Sequence, residues 1–376
     1  MSNPTPISAR HTILGYALTW IAMFAGLFLL VRFSVATLGS RSISVDFGFL
    51  GYPANFDIGN SLLPFTGSDS YGKALFIGFL NTIKAALACI ALATVVGTLI
   101  GILRLSSNPL LRGCAGLVIE VLRNVPPLLQ LFAWSAVIQF SLPLPREAWE
   151  PVTGVVLSNR GIWFPFLAFT GEHSAPSLLG LALAAAAAGV AAWRVFGGRV
   201  PKRLRHLAVA ALVAGVALLI LSGSVVPDLP EKRGFNFRGG VSVTPEFAAL
   251  VVSLTLYTSG YIAEVVRGAV LAVPVGQSEA AGALGLRYLQ TLRLVVLPQA
   301  VRIAIPPMTN QYINVTKSTS LAVAVGYSDI VSIGNTIMNQ SGRAIEVIAI
   351  FVAAYLLLNL VISEVMNRLN RRMSLA

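Results

Sequence analysis

Asn310, Gln311, Asn314, Thr316, Lys317, Ser318, Thr319 and Ser320 crowd one short stretch with apolar residues on either side. Side chains of this kind are too polar for a lipid face, so they line a wet cavity or satisfy one another. Two acids sit at helical spacing from arginines: Glu120 three residues before Arg123, and Glu264 three before Arg267. Each pair has two readings, a structural ion pair along one helix face or a charge held for a polar solute. The sequence contains no catalytic set. His11, His173 and His206 are far apart, and Cys89 and Cys114 lack metal-ligand spacing. A membrane enzyme would need clustered histidines or carboxylates. No Gly-rich phosphate loop ending in Lys-Ser/Thr occurs.

The elements that must position these residues are apolar. Of 376 residues, 56% are apolar and only 11% charged, with a mean hydropathy of +0.77. A soluble domain carries roughly a quarter charged residues, so lipid is the solvent that fits this chain. The net charge of +12 lies in short stretches between apolar runs. That is the mark of cytoplasmic loops against anionic lipid rather than of a nucleic-acid surface.

Apolar runs near 13–31, 74–103, 115–140, 177–193, 207–221, 247–266, 294–315 and 345–365 predict an all-α polytopic protein with about eight transmembrane helices. The basic stretches at 104–112, 194–206, 267–293 and 368–372 then all fall in the cytoplasm, with both termini. The first run reads as a retained helix rather than a signal peptide. Segments 32–72, 141–176 and 316–345 read as external, with Trp149 and Trp163 placed to rest at headgroup level. Pro126-Pro127 divides the third run, and Pro298, Pro306 and Pro307 interrupt the seventh. Lys84, deep in the second run, must face a neighbour or a wet cavity, or snorkel. The chain therefore divides into 1–72, an N-terminal helix and external loop; 73–140, the first part of a core; 141–244, inserted helices and loops; and 245–370, the second part.

Within the polar segment 267–293, Pro274 and Gly276 break the preceding helix. Ser278–Leu284 predicts a short cytoplasmic helix with Glu279 in its first turn, where a carboxylate is favoured. Ala280 and Ala281 leave a smooth surface, and Gly285 ends the helix. Such a helix docks onto another subunit or lies on lipid as a plain connection.

The order Glu279-Ala280-Ala281, Gly285, Leu297-Pro298-Gln299-Ala300, Ile305-Pro306-Pro307 and Lys317-Ser318-Thr319-Ser320-Leu321 resembles the EAA loop and following helix of ATP-binding-cassette importer permeases. It is most similar to the permeases for polar amino acids, of the histidine and glutamine kind, and within these to the larger general L-amino acid type of proteobacteria. Leu80-Asn81-Thr82-Ile83, Ser106 and Glu120-Val121-Leu122-Arg123 carry the likeness in the first block. It covers about 72–140 and 245–370. Two departures stand out: Arg123-Asn124-Val125-Pro126 where the family has Arg-Gly-Thr-Pro, and Ser318 where it often has aspartate. The insertion at 141–244 also separates the blocks more widely than usual.

The resemblance implies the type I importer transmembrane fold in a bacterial inner membrane. It implies a heterodimer with a second, related permease subunit, two ATP-binding subunits that hold ATP and Mg, and a periplasmic binding protein that delivers an L-amino acid. This chain would bind no cofactor itself. Gly276, Glu279, Ala280, Ala281, Gly285 and Arg287 would couple to the ATPase. Arg287 pairs with an acid there or contacts lipid headgroups. An amino acid zwitterion needs a cation for its carboxylate, Lys317 or Arg123, and a partner for its ammonium, Glu120 or Glu264. Asn310, Asn314, Ser318, Thr319 and Ser320 would complete the pathway. An ion-coupled secondary transporter also uses proline-interrupted helices, but the insertion breaks the internal symmetry it should show.

Overall fold

The computed structural model describes residues 46–59, 61–169, 202–221, 225–234 and 236–374, with the isolated positions 25, 183 and 186. The apolar runs at 13–31 and 177–193 lie outside these apart from those three positions, as does most of the basic stretch 194–206.

Helix α1 (Tyr71–Arg104) starts at Ser70, whose hydroxyl accepts from the Lys73 N–H at 3.3 Å. Helix α2 (Pro109–Asn124) is capped by Asn108, at 2.9 Å from the Leu110 N–H. Pro126-Pro127 stops α2 and opens α3 (Pro127–Ser141) at a bend of 102°. The carbonyls stranded by this break find a donor in Gln130, whose Nε2 reaches Leu122 O at 2.8 Å and Val125 O at 3.0 Å. The fifth apolar run forms α4 (Lys202–Leu221).

Helix α5 (Pro245–Leu271) is the hub, packing against α1, α2, α3 and the later α8. After it come α6 (Val275–Ala283), α7 (Tyr288–Thr291), a π-helical turn (Leu292–Val296) and α8 (Leu297–Ser318). A 3-10 stretch (Thr319–Val325) leads to α9 (Ile330–Ser341) and α10 (Ala344–Ser374). Gly97 and Gly101 let α1 and α5 touch backbone to backbone. A Cβ on Gly97 would lie 2.7 Å from Ile262 Cβ and 2.8 Å from Ser259 O, and one on Gly101 would lie 2.7 Å from Ala263 O. Lys84 rests its ammonium 4.6 Å from the Phe247 ring centroid on α5, so a neighbouring helix takes this charge.

Among the described residues, α1, α5 and α10 are long and apolar enough to cross a membrane. Counting the two bent pairs, α2 with α3 and the α7–α8 rod with α9, raises the number of spans to as many as five. The segment 316–345 is helical rather than an irregular loop. It carries the 3-10 stretch and α9, whose Ile330, Ile333 and Ile337 are buried in a core with Phe49, Tyr71 and Val347. Three apolar residues at helical spacing outweigh the polar ones around them. Residues 46–70 form an ordered cap on this core: Ala54 N donates to Asp69 O at 2.8 Å, Tyr71 N to Tyr52 O at 2.9 Å, and Asp46 N to Glu346 Oε1 at 3.1 Å.

The insertion also carries strands, which departs from an all-α reading of a mainly helical chain. β1 (Trp149–Val152), β2 (Val155–Ser158), β3 (Gly161–Phe164) and β4 (Phe166–Phe169) precede α4. β5 (Val225–Asp228), β6 (Glu231–Arg233), β7 (Asn236–Arg238) and β8 (Val241–Val243) follow it. They pair antiparallel as β1-β2-β3-β8, β4-β5 and β6-β7, with Phe164 opposite Val241 and Phe166 opposite Asp228. Trp163 is buried against Phe237, ring centroids 5.2 Å apart, so it packs this unit together rather than resting at headgroup level.

Candidate functional site

The polar stretch lies on the second half of α8, facing α5 and the end of α2. Gly260 on α5 leaves room for the stem of Arg123, whose Cγ lies 3.0 Å from where a Cβ would stand. The Arg123 guanidinium then sits 4.8 Å from the Tyr261 ring centroid, a contact that holds a cation without neutralising it. Tyr257, one turn earlier, donates its hydroxyl to that of Tyr261 at 3.3 Å, with rings 5.1 Å apart.

Two adjoining cavities flank this ladder. One, of about 350 Å³, is walled by Tyr257, Tyr261, Gln311, Asn314, Lys317 and Ser318. The other, of about 410 Å³, is walled by Arg123, Tyr261, Glu264, Ile303, Pro307 and Gln311. Tyr261 and Gln311 form part of both. The first is lined largely by polar side chains and the second is mostly apolar with a few convergent polar groups, and both are of ligand-binding size.

Of the residues expected to serve a solute, Arg123, Glu264, Asn314, Lys317 and Ser318 meet here. Glu264 is committed to Arg267, at 2.9 Å to Nη2 and 3.0 Å to Nε. Arg123 turns to Tyr261, and Glu120 is exposed and lines neither cavity. Asn310 is exposed and also outside them. Thr319 is buried and spends its hydroxyl on Thr316 O at 2.8 Å, while Ser320 donates to Lys317 O at 2.8 Å. Those two hydroxyls satisfy backbone where α8 gives way to the 3-10 stretch. Tyr257 and Tyr261 were not singled out from sequence. Their signal was a pair of tyrosines at i, i+4 on a helix followed by an acid and an arginine at the same face spacing.

At the far end of α5, helix α6 starts at Val275 with Pro274 as its N-cap residue. Glu279 therefore lies in the second turn, not the first, and Gly276 sits inside the helix rather than breaking the one before it. The helix ends as the sequence predicts. Gly285 takes φ +77°, Leu286 N donates to Ala281 O at 3.1 Å, and Gly285 N donates to Gly282 O at 2.9 Å. This double closure makes a sharp, rigid stop. Arg287 opens α7, its N–H donating to Gln290 Oε1 at 2.9 Å. Ala281 is buried where α6 packs on the π-helical turn, and Gln299 Nε2 ties α8 to Gln277 Oε1 at 3.4 Å. Glu279 and Ala280 stay exposed. Around them Val275, Leu284 and Tyr288 are 72%, 81% and 80% exposed.

Comparison with known proteins follows the same lines. The family described as binding-protein-dependent transport system inner membrane component matches residues 239–375. The general L-amino acid transport system permease protein AapQ of Rhizobium johnstonii is 43% identical over 374 residues, covering 97% of this chain and 93% of AapQ. The putative amino-acid ABC transporter permease protein YhdX of Escherichia coli is 41% identical, covering 91% and 88%. The glutamate/glutamine/aspartate/asparagine permease protein BztB of Rhodobacter capsulatus is 34% identical, covering 94% and 92%. A crystal structure of an amino acid ABC transporter with histidines aligns over 80% of this chain and 95% of its own at a TM-score of 0.48 and 20% identity. The relatives are ABC permeases, which sets aside an ion-coupled transporter.

Proposed function

The chain belongs to the permease subunits of ATP-binding-cassette amino acid transport systems, and from that premise we propose how it works. The two cavities between α5 and α8 form its share of a pathway for L-amino acids. It pairs with a second, related permease subunit, and a periplasmic binding protein delivers the substrate. Two ATP-binding subunits hold ATP and Mg²⁺ and receive α6 in a surface groove. Both termini lie in the cytoplasm.

The observation that carries the coupling role is the exposed apolar collar of Val275, Leu284 and Tyr288 around a helix with fixed ends. Glu279 and Ala280 are exposed beside this collar. A partner that pulls on α6 pulls on α8 through the π-helical turn and the Gln277–Gln299 contact. The wall carrying Gln311, Asn314 and Lys317 then moves with it. Coupling requires only that the ATPase grip α6 differently in its two states.

The test is co-purification from membranes and ATP-driven uptake in proteoliposomes with a loaded binding protein. Gly285→Val forces a β-branched residue into the left-handed region, at about 1–2 kcal/mol, and loosens the stop of α6. With Glu279→Lys added, the ATP-binding subunits are expected to be lost on purification and uptake to fall at least tenfold. Unchanged co-purification and uptake in the double variant would refute the docking role.

A further inference from the structure

The charges in the cavities do not balance. Arg123 and Lys317 make no ion pair among the described residues, and the one lining acid, Glu264, is already held by Arg267. A carboxylate entering here meets two uncommitted cations, and an ammonium meets no uncommitted acid. The backbone supplies what the side chains do not. Pro307 has no N–H, so the carbonyl of Ile303 one turn before it cannot receive its ordinary helix bond. Ile303 and Pro307 stand together on the wall of the cavity that also holds Arg123. A backbone carbonyl without its ordinary helix partner, on a residue that lines a cavity, is a natural acceptor for a cationic group.

We propose that this cavity reads the amino acid's own backbone: Arg123 takes the α-carboxylate and the Ile303 carbonyl takes the α-ammonium. Within this cavity no uncommitted charged side chain is left over to read the substrate's side chain; Lys317 stands on the wall of the adjoining one. Glu264 is a positioning residue, kept from the ammonium by Arg267. The inference rests on the pathway assignment made above and adds the substrate groups that are recognised there.

The experiment uses the purified complex with its partner subunits and without binding protein, titrated with three small probes. L-alanine carries both groups, L-lactate replaces the ammonium by hydroxyl, and L-alaninamide lacks the carboxylate. Alanine is expected to bind about ten- to hundredfold tighter than either, the worth of one charge-assisted hydrogen bond. Pro307→Ala restores the N–H and should close the gap between alanine and lactate by weakening alanine, with its charge-assisted bond, more than lactate, with its neutral hydroxyl. Pro306→Ala, whose freed carbonyl belongs to Arg302 outside this cavity, should keep the gap. Arg123→Gln should weaken alanine and lactate alike. Equal binding of alanine and lactate by the unaltered complex, equal binding of alaninamide, no binding of alanine, or a Pro307→Ala variant that keeps the gap would each overturn the proposal. ATP-driven uptake by the unaltered complex tests the pathway reading separately. Uptake with a failed probe series sinks only the recognition scheme, and absence of uptake sinks the reading beneath it.

Discussion

Replacing Gly97 by alanine tests the packing that fixes α5, and with it the tyrosine ladder. The new Cβ would stand 2.7 Å from both Ile262 Cβ and its Cγ2 and 2.8 Å from Ser259 O. Carbon pairs are most favourable near 3.5–4.0 Å, so α1 and α5 must part by about 0.8 Å. A gap of that size forfeits a quarter to a half of each dispersion contact across the interface. Overpacking of this kind costs about 1–3 kcal/mol, offset by the roughly 1 kcal/mol by which alanine outranks glycine inside a helix. The net expectation is a loss of about 0–2 kcal/mol, and less than twice that for the Gly97→Ala, Gly101→Ala pair, because one parting of the helices relieves both clashes. Gly113 on α2 has open space where its Cβ would go. Gly113→Ala therefore keeps only the helix gain and should be neutral or slightly stabilising. Thermal unfolding of the complex in detergent, followed by intrinsic fluorescence, reads all three. A Gly97→Ala midpoint equal to or above that of Gly113→Ala would refute the close-approach argument.

Two further outcomes are expected. Tyr261→Ala removes the ring under Arg123, worth about 0.5–2 kcal/mol, and should raise KM for uptake several-fold, whereas Tyr261→Phe keeps the ring and should stay within twofold. In the cap formed before α1, the Lys73 side chain at 2.9 Å, with the Thr66 N–H, holds the Asp69 carboxyl below its ordinary value of 3.8. A lowered folded-state pKa means the tie is fully present above that value and is lost as pH falls through the lowered one. Amide protection at Ala54 and Asn55 should therefore be flat from neutral pH to about 4 and decline only below it, with Lys73→Met abolishing the dependence.

The sequence spoke clearly where one physical demand acted alone. The runs that became α1, α5 and α10 are legible because lipid asks for unbroken apolar length. The break at Pro126-Pro127 is legible because proline cannot continue α2. The stop at Gly285 is legible because its left-handed backbone favours glycine. The start of α6 was misjudged because Pro274 serves as an N-cap residue, which moves the helix upstream and takes Glu279 out of the first turn. Helix α9 was hidden because its buried isoleucines alternate with Ser332, Asn335 and Thr336, giving low average hydropathy over a well-placed apolar stripe. The strands of the insertion are three or four residues long, too short for periodicity to declare itself, and β3 finds β8 across the whole inserted segment. In the candidate site, Arg123 and Lys317 were visible as costly charges. The tyrosines were not, because an aromatic on a membrane helix looks the same whether it packs a core or carries a guanidinium.

The pairing of β3 with β8 also has a genealogical meaning. Phe164 and Val241 are partners on neighbouring strands, so the chain leaves the permease core and returns to it at nearly the same point. The paired strands β4 and β5, beyond the clasp on either side, continue it outward like the base of a side branch. Excision of the branch, with a two-residue turn closing the strands, leaves the ends of α3 and α5 where they were. The juxtaposed ends give a lineage a single place at which such a segment can be acquired or discarded, so that a shorter permease and this longer one can share a core.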